Sequence, residues 1–185
     1  MKNSFTFRQF VIEHDRCAMK VGTDGVLLGA WADLSGSSLI LDIGCGSGLI
    51  ALMAAQRAPY ASVWGIDVDA PSVGQARQNV LNSPFSERIQ ILECDVRTYS
   101  PGILFNHILC NPPFYTEHTL PPDDARMRAR HTASLSLECL LENAGRILAA
   151  KGTFSLILPY LTAERFITHA LAKGWYAVRT CQVYT

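Results

Sequence analysis

Apolar and polar positions along the chain follow two rhythms. Short apolar runs recur at Leu39 to Asp42, Ala61 to Val68, Ile89 to Val96, Asn106 to Cys110, Thr153 to Leu158 and Tyr176 to Tyr184. Each reads as a buried strand. Between them lie stretches of helical period: Leu49 to Arg57, Pro71 to Asn82, Leu135 to Leu148 and Thr162 to Ala172. In the third of these, Leu137, Leu140, Leu141, Ala144, Ile147 and Leu148 fall on one face. Strands alternating with helices predict an α/β fold with a mostly parallel, doubly wound sheet, and such sheets bind ligands beyond the C-terminal ends of their strands. Asp69 is placed to cap the helix opened by Pro71, and Lys151-Gly152 reads as a turn.

The N-terminal part is less regular. Phe5, Phe7, Phe10 and Ile12 alternate loosely with polar residues, which predicts a short strand or hairpin. Thr23 or Asp24 is placed to cap a helix over Gly25 to Trp31. Ser35-Gly36-Ser37-Ser38 then leads into the first core strand. Residues 1–34 are therefore expected to form a flap or cap, and residues 35–185 the main domain. Two roles for the flap stand open: a structural cover, or a lid over a ligand with Lys20, Thr23 and Asp24 near its polar end.

Candidate chemistry gathers at the strand ends. The first core strand runs into Asp42-Ile43-Gly44-Cys45-Gly46-Ser47-Gly48 and then straight into a helix. Gly44, Gly46 and Gly48 let the backbone turn tightly and let a ligand lie against it. The helix N-terminus presents unpaired N–H groups to that ligand. The spacing Asp-x-Gly-x-Gly-x-Gly differs from the Gly-x-Gly-x-x-Gly that suits a pyrophosphate. Asp67 ends the second strand, where a carboxylate accepts from ribose hydroxyls. Asp95 closes the third, positioned for an adenine amino group. Three strands in a row ending in acids point to a nucleoside cofactor rather than to an arbitrary strand-turn-helix.

The fourth strand leads into Asn111-Pro112-Pro113-Phe114. Two prolines stiffen the backbone there. The Asn111 side-chain oxygen and the Pro112 carbonyl can then accept both hydrogens of a planar amine whose ring stacks on Phe114. Holding those hydrogens frees the nitrogen lone pair for attack on a methyl donor, by positioning and electrostatics rather than by a strong base. A rigid turn at the sheet edge is the structural alternative.

Composition narrows the class. Apolar residues make up 49% and charged residues 17%, which excludes a disordered chain. Lysine plus arginine balance aspartate plus glutamate at 16 each, so any contact with nucleic acid must come from local patches. Arg126, Arg128 and Arg130 supply one, in a polar stretch after the Asn-Pro-Pro-Phe turn that could clamp phosphates. Lys2, Arg8, Arg16 and Lys20 are candidates for a basic rim. No apolar run has membrane-helix or signal-peptide length, and the scattered cysteines and histidines show no metal-ligand spacing. The expectation is a reduced, cytoplasmic, monomeric protein without a metal.

The glycine loop resembles the first motif of class I S-adenosylmethionine-dependent methyltransferases. Asn111 to Phe114 resembles the (Asn/Asp/Ser)-Pro-Pro-(Tyr/Phe/Trp) motif of amino-methyltransferases. The stretch from His14 to Trp31, with Lys20-Val21-Gly22-Thr23-Asp24-Gly25 and Leu28-Gly29-Ala30-Trp31, is similar to the start of the bacterial tRNA valine (adenine-N6)-methyltransferase family. That resemblance covers essentially the whole chain, including Arg126 to Thr132 and Leu158-Pro159. It implies a Rossmann-like fold, S-adenosylmethionine as cofactor, and methyl transfer to N6 of adenine 37 in the anticodon loop of a valine tRNA. It implies cofactor contacts from Asp42, Gly44, Cys45, Gly46, Gly48, Asp67, Asp95, Asn111, Lys20 and Thr23, and a reaction centre at Asn111, Pro112, Pro113 and Phe114. Family members continue past residue 185 with a final antiparallel strand pair, so the sheet is expected to lack its last strands. Rival functions are guanine-N2 or glutamine-N5 methylation, a nicotinamide-dependent oxidoreductase reusing the glycine loop, and a non-catalytic RNA-binding module.

Overall fold

The structure, a computed structural model, describes residues 4–113 and 135–184. Strands β3 (Leu39–Ile43), β4 (Ser62–Asp67), β5 (Ile89–Glu93), β6 (Phe105–Cys110) and β7 (Leu148–Leu156) form one parallel sheet in the order β5-β4-β3-β6-β7. The order reverses between β3 and β6, so a crevice opens over the C-terminal ends of these two strands.

Two apolar layers sandwich the sheet. Helices α1 (Thr23–Trp31), α2 (Leu49–Arg57) and α3 (Ala70–Leu81) cover one face, against Ile40, Val63, Ile91 and Leu109. Helix α4 (Leu137–Ile147) covers the other through Leu140, Ala144 and Ile147, against Leu41, Ile66 and Ile108. Helix α5 (Tyr160–Ala172) packs on α4. Period-two alternation assigns every strand residue to a layer. Ile40 and Leu109 face α2, so Asp42 and Asn111, each two residues further on, share that face.

The N-terminal alternation forms an antiparallel hairpin of β1 (Ser4–Thr6) and β2 (Val11–Glu13). Phe10 and Ile12 are buried in the same cluster as α1 and α2, so the hairpin shares the domain core. Asn79 of α3 ties it down. Its Oδ1 accepts from the Glu13 amide at 3.0 Å and its Nδ2 donates to the Glu13 carbonyl at 2.8 Å. Arg88 donates to the carbonyls of Ala55, Ala58 and Ala61, satisfying the open end of α2.

Four local expectations are corrected. Tyr176 to Tyr184 carries no regular secondary structure: residues 175–184 pair with no strand among the described residues, and an apolar run becomes a strand only when a ladder satisfies its backbone. Helix α1 starts at Thr23 with Gly22 as its N-cap and no side-chain cap, so neither Thr23 nor Asp24 caps it. Strand β5 stops at Glu93, which places Asp95 in the following turn rather than on the strand. Strand β7 begins at Leu148, five positions before Thr153. The expected Lys151-Gly152 turn survives as an irregularity inside the strand, where Lys151 adopts φ +64° and the register against β6 slips.

Candidate active site

The crevice is built around the loop between β3 and α2. Gly44, Gly46 and Gly48 all have positive φ, at 70°, 51° and 80°. Among the described residues, a Cβ at residue 44 or 46 would meet no atom within 4 Å, so both face open space there, while one at Gly48 would sit 3.3 Å from Ala76 of α3. The first two glycines therefore leave room for a ligand, and the third admits a neighbouring helix. The loop is pinned beneath. The Gly44 and Cys45 amides donate to the Ile66 carbonyl at 2.9 and 3.0 Å, and the Asn79 amide group donates to the Ser47 carbonyl at 2.9 Å.

Asp42 is fully buried under this loop. Its Oδ2 accepts from the Ala51 amide in the first turn of α2 at 3.1 Å, while Oδ1 has no partner among the described residues. Burial pushes its carboxyl up to about 7, against the pull of the Ala51 amide and with some help from Asp67. An unpartnered buried carboxylate oxygen suits a ligand donor such as an ammonium group.

Asp67 ends β4 beside the loop. Its Oδ2 accepts from the Gly46 amide at 2.8 Å and its Oδ1 from the Asp69 amide at 2.9 Å. Two of its four lone-pair sites stay available for hydroxyl donors. Asp95 accepts from the Arg97 side chain and amide, and these contacts hold its carboxyl below the usual range.

Asn111 and Pro112 follow directly on β6. The Asn111 Oδ1 is buried with no hydrogen-bond partner among the described residues, and Pro112 is buried while Pro113 is exposed. Helix α1 backs this corner. A Cβ at Gly25 would sit 3.8 Å from Asn111 Nδ2 and 3.1 Å from a Leu49 methyl, so the absence of a side chain at residue 25 lets α1 come this close. Phe114 and Arg126, Arg128 and Arg130 lie outside the described residues.

The loop before α1 folds back on itself at the same end. His14, 8% exposed, accepts from the Val21 amide through Nδ1 at 3.1 Å, and Lys20 Nζ donates to the His14 carbonyl at 2.9 Å. His14 is therefore an internal fastener. Thr23 lies exposed at the start of α1. Cys17 is buried against Ser72 of α3. Burial raises its thiol, Ser72 opposes this, and Asp67 and Asp69 stand near enough to add to the rise.

Sequence reasoning placed Asp42, Asp67, Asn111 and the three glycines on the crevice, and the structure brings them together there. It missed three contributors. Asn79 holds the loop from a helix with no motif of its own. Gly25 clears space for Asn111. Val68, 67% exposed beside Asp67, offers an apolar side chain just past the end of β4, signalled only by its place next to a strand-end acid. Among the described residues, no cluster of three or more His, Cys, Asp or Glu could hold a metal, and no helix is long and apolar enough to cross a membrane.

Residues 23–173 match the methyltransferase small-domain family. A protein of Tolumonas auensis named tRNA1(Val) (adenine(37)-N6)-methyltransferase is 44% identical over 184 residues, covering 99% of this chain and 77% of its own length. A protein of Phocaeicola vulgatus with the same name is 45% identical over 181 residues, covering 98% of this chain and 77% of its own. Among solved structures, TrmN from Thermus thermophilus aligns with a TM-score of 0.51 and 28% identity, over 71% of this chain and 36% of its own. A predicted O-methyltransferase of Agrobacterium tumefaciens aligns with a TM-score of 0.59 and 25% identity, over 80% of this chain and 67% of its own.

Proposed function

Because the chain belongs to the methyltransferase small-domain family, alongside relatives named tRNA1(Val) (adenine(37)-N6)-methyltransferase, we propose that it methylates the N6 amine of an adenine in tRNA, adenine 37 of a valine tRNA. The observation that carries this reading is the buried oxygen of Asn111, without a partner among the described residues, next to the backbone of Pro112 and Pro113 and one residue past Cys110, which pairs with Ile43 at the start of the glycine loop.

The cofactor of this reading is S-adenosylmethionine, and the residues present fit it. Gly44 and Gly46 open onto clear space, with Cys45 between them and Gly48 closing the turn. The free oxygen of Asp42 suits the ammonium of its amino-acid part and Asp67 its ribose hydroxyls; Asp95, the proposed contact to its adenine amine, has both carboxylate oxygens engaged by Arg97 and would have to share them. Lys20, whose Nζ also donates to the His14 carbonyl, and Thr23 are the remaining proposed cofactor contacts, which would put the turn before α1 over the site while the hairpin and α1 stay part of the domain core. When bound, the cofactor supplies an electrophilic methyl carbon.

The chain's own work is orientation. Asn111 Oδ1 and the Pro112 carbonyl accept the two amine hydrogens, turning the nitrogen lone pair out of conjugation, and Phe114 stacks on the base. As the nitrogen bonds the methyl carbon, the donor's carbon–sulfur bond would break to leave a neutral thioether, and the acidic proton left on the nitrogen would pass to solvent water without a dedicated base. Anticodon-loop adenines are already partly unstacked, so presenting one to this corner costs less than extracting it from a duplex. Arg126, Arg128 and Arg130 are proposed to grip flanking phosphates. The protein is proposed to act in the cytoplasm as a monomer.

The test is methyl transfer from labelled S-adenosylmethionine to tRNA from a strain lacking this gene, followed by nucleoside mass spectrometry. N6-methyladenosine in a valine tRNA is the expected product. Label appearing instead in N2-methylguanosine of RNA, or in a glutamine of a protein, contradicts the assignment.

A further inference from the structure

One side-chain amide joins two segments that lie far apart in the chain. Asn79 of α3 is 2% exposed, and its hydrogen bonds leave in two directions. Toward the hairpin, Oδ1 accepts from the Glu13 amide at 3.0 Å and Nδ2 donates to the Glu13 carbonyl at 2.8 Å. Toward the glycine loop, Nδ2 donates its other hydrogen to the Ser47 carbonyl at 2.9 Å. The partners fix which way the amide points, since an N–H needs an oxygen and two carbonyls need donors. The Ser47–Gly48 peptide is held at its other end as well, because the Gly48 amide donates to the Cys45 carbonyl at 2.8 Å. Gly44 and Gly46, the open positions of the loop, lie just before this clamped peptide.

We propose that Asn79 is a positioning residue for the cofactor: by tying Ser47 to Glu13 it makes the N-terminal hairpin part of the support that holds the glycine loop in its binding shape. The inference rests on the S-adenosylmethionine reading above and adds to it a residue that acts through the loop. Two observations favour this coupling over ordinary packing. One rigid planar group serves both partners with both of its donor hydrogens, so the hairpin and the loop cannot shift apart without unpairing a buried backbone group. Gln75, one turn earlier on α3 and also 2% exposed, donates to the Glu13 side chain at 3.4 Å and makes no bond to the loop among the described residues. Contact with the hairpin alone is therefore available for comparison on the same helix.

Asn79→Ala and Gln75→Ala are compared with wild type in the full chain. The readouts are the Kd for S-adenosylmethionine, its KM and the kcat for tRNA methylation, the urea midpoint, and amide exchange at Glu13 with and without S-adenosylmethionine. Asn79→Ala is expected to weaken cofactor binding about tenfold, the scale of one lost buried hydrogen bond, with KM rising in step and kcat within about twofold of wild type. Coupling is reciprocal, so saturating cofactor is expected to slow Glu13 exchange in wild type by about the same tenfold, and to leave it unchanged in Asn79→Ala. Gln75→Ala is expected to keep the cofactor Kd within about twofold of wild type. A folded Asn79→Ala that binds cofactor like wild type overturns the proposal. So does a loss of the same size in Gln75→Ala, which would make the effect general to the hairpin interface. If the urea midpoint shows Asn79→Ala unfolded, wild-type exchange decides alone, and Glu13 protection that ignores the cofactor overturns the proposal. If wild type binds no S-adenosylmethionine, the cofactor reading fails and the coupling with it. If it binds the cofactor but methylates no tRNA, the tRNA reading fails while a tenfold effect at Asn79 still supports the coupling.

Discussion

The backbone amide of Gly46 donates to the Asp67 carboxylate across 2.8 Å, joining the glycine loop to the end of the neighbouring strand. One side chain therefore shapes the loop and faces the crevice with its remaining lone pairs. Asp67→Ala removes both functions. It is expected to weaken S-adenosylmethionine binding by tenfold to a hundredfold, about 1.5–3 kcal/mol for a lost charged hydrogen-bond partner. Titration calorimetry measures this, and unchanged affinity would remove Asp67 from the ribose site.

Two glycines separate crowding from freedom. A Cβ at Gly65, in the middle of β4, would approach an Ile91 methyl at 2.7 Å and the Cys45 side chain at 3.0 Å. Gly65→Ala is expected to cost about 1–3 kcal/mol by overpacking, and to weaken cofactor binding because Cys45 belongs to the loop. Gly74, on the exposed side of α3, has nothing within 4 Å of its missing Cβ. Gly74→Ala is expected to stabilise by about 0.5–1 kcal/mol through helix propensity. Urea unfolding of both variants tests the pair, and the opposite signs are the result that matters.

Two buried groups set opposing pH dependences. Burial lowers His107, hydrogen-bonded to Ser155 Oγ at 2.9 Å, to about 4 from an ordinary 6.5. The fold therefore prefers the neutral ring. This stabilisation is full above pH 6.5 and is lost as pH falls toward 4, about 1.4 kcal/mol per pH unit. Asp42 is raised to about 7 from 3.8, so the fold prefers its protonated form and gains stability as pH falls from 7 toward 4. Between about pH 4 and 6.5 the two slopes nearly cancel. His107→Gln removes one of them. Denaturant unfolding is expected to show the variant gaining about 2 kcal/mol between pH 7 and pH 5, while wild type changes by less than about 1. Parallel pH curves for the two proteins would contradict this.

What could be read from the residues alone was what is local. Leu39 to Gly48 combines an apolar run, an acid, alternating glycines and a helix former, and each choice agrees with its neighbour. The alternation of Phe5, Phe7, Phe10 and Ile12 was enough for the hairpin, and Asp69 was legible as a cap because its partner, Ser72, is three residues on. The rest depends on residues distant in sequence. Asn79 reaches Glu13 across 66 positions, a pairing that no window contains. Tyr176 to Tyr184 has the composition of a strand, but strand formation belongs to a pair rather than to a segment. Of the candidate site, Asp42, Asp67, Asn111 and the three glycines were readable from their place after apolar runs, whereas the clearance provided by Gly25 appears only once α1 packs.

The corner at Asn111 and Pro112 is the centre of the account, and Asn111→Ala probes it most directly. Single-turnover methyl transfer to valine tRNA, with the S-adenosylmethionine Kd measured alongside, is the decisive measurement. Losing the acceptor that orients the amine is expected to slow transfer by about a thousandfold, comparable to removing an oriented transition-state contact, with cofactor Kd within about twofold of wild type. Transfer at the wild-type rate would contradict the proposed chemistry.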